Sequence, residues 1–337
     1  MTAMSDLLAP LSVFALWFDF AGLTTLIGTL AFQYLIIRPV SLPPQEFEPF
    51  ERRLLRVEAG AFMLVALASV LELLLRALVM GGGILNNVGD ALSLTLLETR
   101  YGTIWLARIA LIGLIVLGWQ FWPGLTWSSG LRLLGAVAIA LTRSLSGHAA
   151  DWGDVTLPVL IDWLHLLAVS IWIGGLLVMG FVLRAALTPT SNEDTAMRFA
   201  LIARRFSILA TLCVIGLLTT GLFHPRLRLM SFSTLFWIPY GWTLMVKLSL
   251  VLLMLMLAAL NRSYLLPRLS RGSDGRARLL VTTIGRLEWL LAVFVLISSA
   301  LLTQLTPARY IRHHEHSQVA HRQVGSVAPA PLPTGKR

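Results

Sequence analysis

The residues best suited to chemistry lie between Arg143 and Phe181, in RSLSGHAADWGDVTLPVLIDWLHLLAVSIWIGGLLVMGF. This stretch holds His148, Asp151, Asp154, Asp162 and His165, and from Leu157 onward it is a long apolar run. Ionisable side chains in such a run are costly unless they have a partner or a task. Asp162 and His165 are three apart, so on a helix they share a face. Trp172 and Met179 follow His165 at intervals of seven and continue that stripe, with Gly174 and Gly175 between them. Imidazole suits copper, zinc, iron and nickel, and thioether selects Cu(I). A carboxylate three residues from a histidine can orient the ring or ligate directly. The spacing shows no Ser-His-Asp or Cys-His arrangement and no phosphate-binding glycine loop, so a function other than catalysis is expected.

The elements that position these residues are membrane spans. The chain has 337 residues, 56% hydrophobic and 13% charged, with mean hydropathy +0.77. A soluble domain carries about 25% charged residues. Repeated apolar runs of about 20 residues point to an all-α polytopic integral membrane bundle. Eight transmembrane helices are expected, over 11–37, 54–80, 103–122, 130–147, 158–187, 206–223, 241–265 and 283–305. Arg132 and Arg143 lie near the ends of the fourth and are expected to snorkel to the interfaces. Residues 1–10 hold no Lys or Arg, which argues against a cleaved signal peptide, so the first run is expected to stay as a helix. Cys213 is the single cysteine, so neither an internal disulfide nor a multi-cysteine metal site is possible.

The formal charge of +10 follows from arginines in connecting segments, not from a nucleic-acid motif. Arg38, Arg52, Arg53 and Arg56 follow the first span. Arg184, Arg198, Arg204 and Arg205 follow the fifth, and Arg262, Arg268, Arg271, Arg276 and Arg278 follow the seventh. The segment 148–157 has none. The positive-inside rule then puts both termini outside, in the periplasm of a bacterium. Residues 81–102 suit a short helix in the outer interface. The transmembrane domain is expected over 1–305. Residues 306–337 read as a disordered periplasmic tail carrying His313, His314, His316 and His321, able to capture metal.

In this topology His148, His165 and His224 all fall near the outer face, with His165 roughly 10 Å below it. Asp19 and Glu72 add carboxylates to the first two spans, and Arg76 is the expected i,i+4 partner of Glu72. Lys247 is near the outer end of the seventh span. Plain structural roles fit the same residues. His165 could hydrogen-bond across helices, Gly174-Gly175 could allow close helix approach, and Trp172 with Met179 could be packing. Asp151 and Asp154 could be solvated, and His224, before Pro225, could be a helix-end residue.

Several ordered segments resemble the copper resistance protein D (CopD) family: YGTIWLAR (101–108), SGHAAD (146–151), DWLHLLAVSIWIGGL (162–176), RFSILA (205–210), TTGLF (219–223), PYGWTLMVKLSL (239–250), LAALNRSYLLPRL (257–269) and RLEWLLAV (286–293). The resemblance covers residues 100–306, with the first hundred similar only in hydropathy and in their acidic residues. It implies an eight-helix inner-membrane protein that handles copper, as Cu(I) or Cu(II), and imports it. It also implies a separate periplasmic copper-binding partner of the CopC type. Carried over residue by residue, it marks His148, Asp162, His165, Trp172, Gly174 and Gly175. With Asp151 and His224 as further ligands and Asp19 and Glu72 lining the path, these form the expected metal route. Two other readings stand beside it: a copper sensor or assembly partner without flux, and a b-type haem oxidoreductase with axial histidines.

Overall fold

The computed structural model describes residues 2–40, 42–84, 87–121, 128–183, 193–223, 238–269 and 275–305. His224 and the four tail histidines lie outside the described residues. Every long element is helical. In chain order they are α1 (Thr2–Phe32, continued by a π-helical turn Gln33–Ile37), α2 (Pro44–Met80), α3 (Val88–Leu97), α4 (Arg100–Phe121) and α5 (Ser128–Leu145). They continue with α6 (Leu157–Leu177, then a π turn Val178–Leu183), α7 (Glu193–Phe223), α8 (Pro239–Leu260, then a π turn Asn261–Leu265 and Leu266–Leu269) and α9 (Gly275–Gln304).

Among the described residues seven helices are long and apolar enough to cross a membrane: α1, α2, α4, α6, α7, α8 and α9. The chain is a multi-pass membrane protein. Leucines such as Leu114, Leu134, Leu212 and Leu252 are exposed in mid-helix, as lipid contact requires. The eighth expected span is α5, whose 18 residues carry Arg132 and Arg143 and do not meet that measure alone. Its arginines do not snorkel outward. Both side chains are about nine-tenths buried and turn onto carboxylates of α2, because inside the bundle an ion pair is available at shorter reach than water.

The arginine-rich segments are mostly helix and not loop. α2 begins at Pro44, which puts Arg52, Arg53 and Arg56 in its first turns, and α7 begins at Glu193, which does the same for Arg198, Arg204 and Arg205. Helices have no reason to stop where the apolar run stops, since arginine is a good helix former. At the other end of α2 the chain reverses through Gly82 and Gly83, with φ +71° and +76°, into the ten-residue α3.

α1 is the hub and packs on α2, α5, α6 and α9. Its contact with α6 is backbone against backbone. A Cβ on Gly28 would collide with Gly174 Cα and the Ser170 carbonyl, and a Cβ on Gly174 would meet Gly28 Cα at 2.6 Å. Gly175 faces the Phe206 ring of α7 just as closely. Membrane helices gain van der Waals contact through such small residues. Trp172 and Met179 are buried in the core between α1, α6, α7, α8 and α9. Gly174→Val is expected to lower the unfolding midpoint of the detergent-solubilised protein, at a cost of about 1–3 kcal/mol or more. Gly60→Ala, which meets nothing within 4 Å, should leave it unchanged.

Candidate metal path

The turn between α5 and α6 carries His148 and Asp151 on a 3-10 segment, His148–Trp152, closed by Gly153 at φ +119°. His148 Nδ1 lies 3.3 Å from Asp151 Oδ2, and both side chains are more than half exposed. Arg100 fixes this turn by pairing with Asp154 and donating to the Leu145 carbonyl at 3.1 Å. Thr156 and Pro158 then start α6.

Two turns into α6, His165 is half-buried, and its Nδ1 is 2.9 Å from Thr220 Oγ1 on α7. The Thr220 hydroxyl donates its single proton to the Gly216 carbonyl at 2.6 Å. Its oxygen therefore accepts from His165 Nδ1–H, which assigns the lone pair of the imidazole to Nε2. Locking one ring nitrogen to present the other is how proteins orient metal-binding histidines. Asp162 is half-buried one turn before His165, and its charge bears on Arg143. Trp163 anchors the same turn of α6 to α5 by donating to the Val137 carbonyl at 3.0 Å.

Asp19 and Glu72 are engaged by arginines. Asp19 is fully buried and pairs with Arg108 of α4, and Arg143 Nη1 stands 3.9 Å from its second oxygen. Arg143 Nη1 also donates to Glu72 Oε2 at 2.8 Å. Arg76, the expected partner of Glu72, lies 4.1 Å over the Tyr101 ring instead. The exchange has a geometric cause. Arg143 reaches Glu72 from inside the bundle, and Tyr101 offers the guanidinium of Arg76 an aromatic face. A second pair, Arg132 Nη1 to Glu58 Oε2 at 2.6 Å, repeats the pattern toward the other end of α5. Trp105 Nε1 donates to the Ser69 carbonyl at 2.9 Å and closes α4 on α2.

The structure thus joins His148 with Asp151 and His165 with Thr220. Among the described residues it gathers no group of three or more His, Cys, Asp or Glu able to hold a metal ion. The sequence reading missed Thr220, Arg108 and the Arg143 pairing. The available signal was the charge count: two carboxylates and two arginines buried deep in α1, α2, α4 and α5 sum to zero.

A multi-pass helical bundle with ion pairs buried between its helices is the class this geometry defines. Profiles of one family match on both sides of α6: Copper resistance protein D-like, N-terminal domain, over residues 4–156, and Copper resistance protein D over residues 200–302. The chain belongs to the copper resistance protein D family. The first match reaches back to residue 4, so the likeness extends well beyond the hydropathy of the first hundred residues. The chain is 29% identical over 295 residues to "Copper transport protein CutJ" of Bacillus subtilis, covering 85% of this chain and 51% of that protein. It therefore spans about half the length of that relative. It is 29% identical over 262 residues to "Inner membrane protein YebZ" of Escherichia coli, covering 76% of this chain and 86% of that one. No solved structure matches the chain significantly.

Arg108→Met strands the buried Asp19 carboxylate and is expected to cost about 3–5 kcal/mol of stability. The double change Asp19→Asn with Arg108→Met should recover a large part of it. Thermal unfolding in detergent of both single variants and the double checks this coupling.

Proposed function

We propose that the protein carries copper ions across the cytoplasmic membrane, inward, and so contributes to copper homeostasis and resistance. It does so as a carrier and not as an enzyme. The observation that supports this best is the His165 imidazole, held by Thr220 so that Nε2 bears the lone pair. It sits inside a helix of membrane-spanning length, in a chain of this family. The name of the Bacillus relative points the same way.

In this reading α5 is the eighth span, both termini lie in the periplasm, and the arginine-rich ends face the cytoplasm. Copper, as Cu(I) or Cu(II), is received by His148 with Asp151 at the exposed turn and passes to His165 with Asp162. His224 belongs to the same mouth, and the histidines of 306–337 gather the ion outside. A periplasmic copper-binding protein of the CopC type delivers it. Asp19 and Glu72 act through Arg143, which reaches both carboxylates.

The test is uptake of copper into liposomes containing the purified protein, with external copper chelated before the internal metal is counted. Wild type should accumulate copper and His165→Ala should not. Thr220→Val, which keeps the imidazole but releases Nδ1, should weaken apparent affinity about tenfold or more while leaving the maximal rate nearer wild type. Stoichiometric copper without flux would replace transport with sensing or assembly. A Soret band in the purified protein would replace it with haem chemistry.

A further inference from the structure

Away from His165, the bundle keeps a second set of polar groups that the copper path does not use. Glu288 on α9 is 1% exposed, and its Oε1 has no hydrogen-bond partner among the described residues. The same holds for Oε1 of the buried Gln33 on α1, for Nη1 of Arg53 on α2 and for Oδ1 of Asn261 on α8.

Contacts between helices place these four residues in one layer. Arg286 Nε donates to the Gly180 carbonyl at 2.8 Å, which sets α9 against α6, and Gly28 against Gly174 sets α1 against α6. Gln33 and Met179 lie five residues beyond those glycines, and Glu288 lies two residues after Arg286, so all fall within about one helical turn. Gly22 meets Ala61 and Val65 of α2, which carries Arg53 to the depth of Gln33. Arg262, next to Asn261, donates to the Ser207 carbonyl and Thr211 Oγ1 of α7. Phe206, one residue before Ser207, packs on Gly175.

Three helices change to π geometry in this same layer: α1 at Gln33–Ile37, α6 at Val178–Leu183 and α8 at Asn261–Leu265. All three helices pack on α9. A π turn widens the helix and leaves the i→i−4 ladder, and such turns gather at functional sites. Here two of them bring an unpaired side-chain oxygen, from Gln33 and from Asn261, to the depth of the Glu288 carboxyl.

The surrounding charges are accounted for. On α9, Arg286 lies over Phe181, Arg278 lies over Phe199, and Arg276 is about three turns away. On α8, Arg262 is engaged with α7 and Arg268 lies over Tyr264. Tyr240 and Leu244 pack on Leu302, which puts Lys247 about three turns from Glu288. On α1, Asp19 is held by Arg108, and Tyr34 carries Arg38. On α6, Asp162 and His165 lie more than three turns nearer the other end. Arg53 shares the layer, but among the described residues Glu288 forms no ion pair, and Arg53 Nη1 has no hydrogen-bond partner.

We propose that Glu288 is a proton-binding site, the carboxyl of a polar chamber formed by the π turns of α1, α6 and α8 against α9. A buried carboxylate that forms no ion pair is costly, and taking up a proton removes that cost. Gln33 and Asn261 supply acceptors for the acid O–H, and the loosened turns give water a route to it. A site that loads and releases one proton inside a membrane bundle is what ion coupling of a carrier requires. This goes beyond the copper reading and does not depend on it.

The test uses the full-length protein in liposomes without copper, treated with dicyclohexylcarbodiimide. The reagent is apolar and reacts with a protonated carboxyl. The acid proton passes to one nitrogen, the carboxylate oxygen adds to the central carbon, and the acyl group then migrates to nitrogen as a stable acylurea. Peptide mass spectrometry should find the adduct on Glu288 and not on the ion-paired Asp19 or Glu72. Its yield should fall about tenfold per pH unit once the acid ionises. Glu288→Gln, with its fold confirmed by thermal unfolding, should lose the adduct. Absence of label at every pH, or a yield independent of pH, overturns the proposal. So does protection by sodium at fixed pH, which would make the chamber a sodium site.

Discussion

The bundle depends on charges that cancel inside it. Asp19 and Glu72 from α1 and α2 meet Arg108 and Arg143 from α4 and α5 in the bundle interior, with Asp19 and Arg108 buried and Glu72 and Arg143 nearly so. Once buried, each charge needs its partner, because removing one and stranding the other costs about 3–5 kcal/mol. The four helices are therefore held in one mutual register, because sliding any of them by a turn would separate a buried pair. Arg143 is the joint of this set. It bonds to Glu72, stands near Asp19, and feels Asp162 on α6. Through it the ion-paired half of the bundle is tied to the helix that carries His165.

The second constraint is the approach of α6 to α1. At Gly28 and Gly174 no side chain fits, so the two backbones touch. That contact sets the rotation of α6 about its axis. With Ser170 and Trp172 buried on one side, His165 is turned toward Thr220 of α7 while Trp163 reaches back to α5. A single closely packed crossing thus decides which neighbours the imidazole can use.

Much of this was legible in the residues. Hydropathy marked the spans, residues 81–102 were marked for the short helix α3, and the Gly174-Gly175 pair marked the close crossing. What was not legible has a common cause. Arg108 and Arg143 are 89 and 71 residues from their carboxylate partners. No local spacing announces such a pair, whereas Glu72 and Arg76 satisfied the i,i+4 rule and still did not meet. Helix ends were misjudged for a similar reason. Apolar content reports where lipid begins, and the hydrogen-bonded helix continues past it through Arg52, Arg53 and Arg56. The Thr220 partner of His165 could not be read because the facing position on α7 follows from packing at Gly175 and Phe206.

The paired network also narrows where a cation can travel. Two carboxylates neutralised by two arginines present no net attraction to a positive ion, and displacing either guanidinium would strand a buried carboxylate. A route through the space between α1, α2, α4 and α5 would therefore have to break the contacts that hold those helices together. The other side of α6 is built differently. His165 is bridged to α7 through Thr220, and Asp162 lies one turn away. The polar layer of Gln33, Asn261 and Glu288 lies further along, against the same core of Trp172 and Met179. Ion pairs pack between α1, α2, α4 and α5, and the neutral polar side chains of Gln33 and Asn261 lie with Glu288 toward the core on α9.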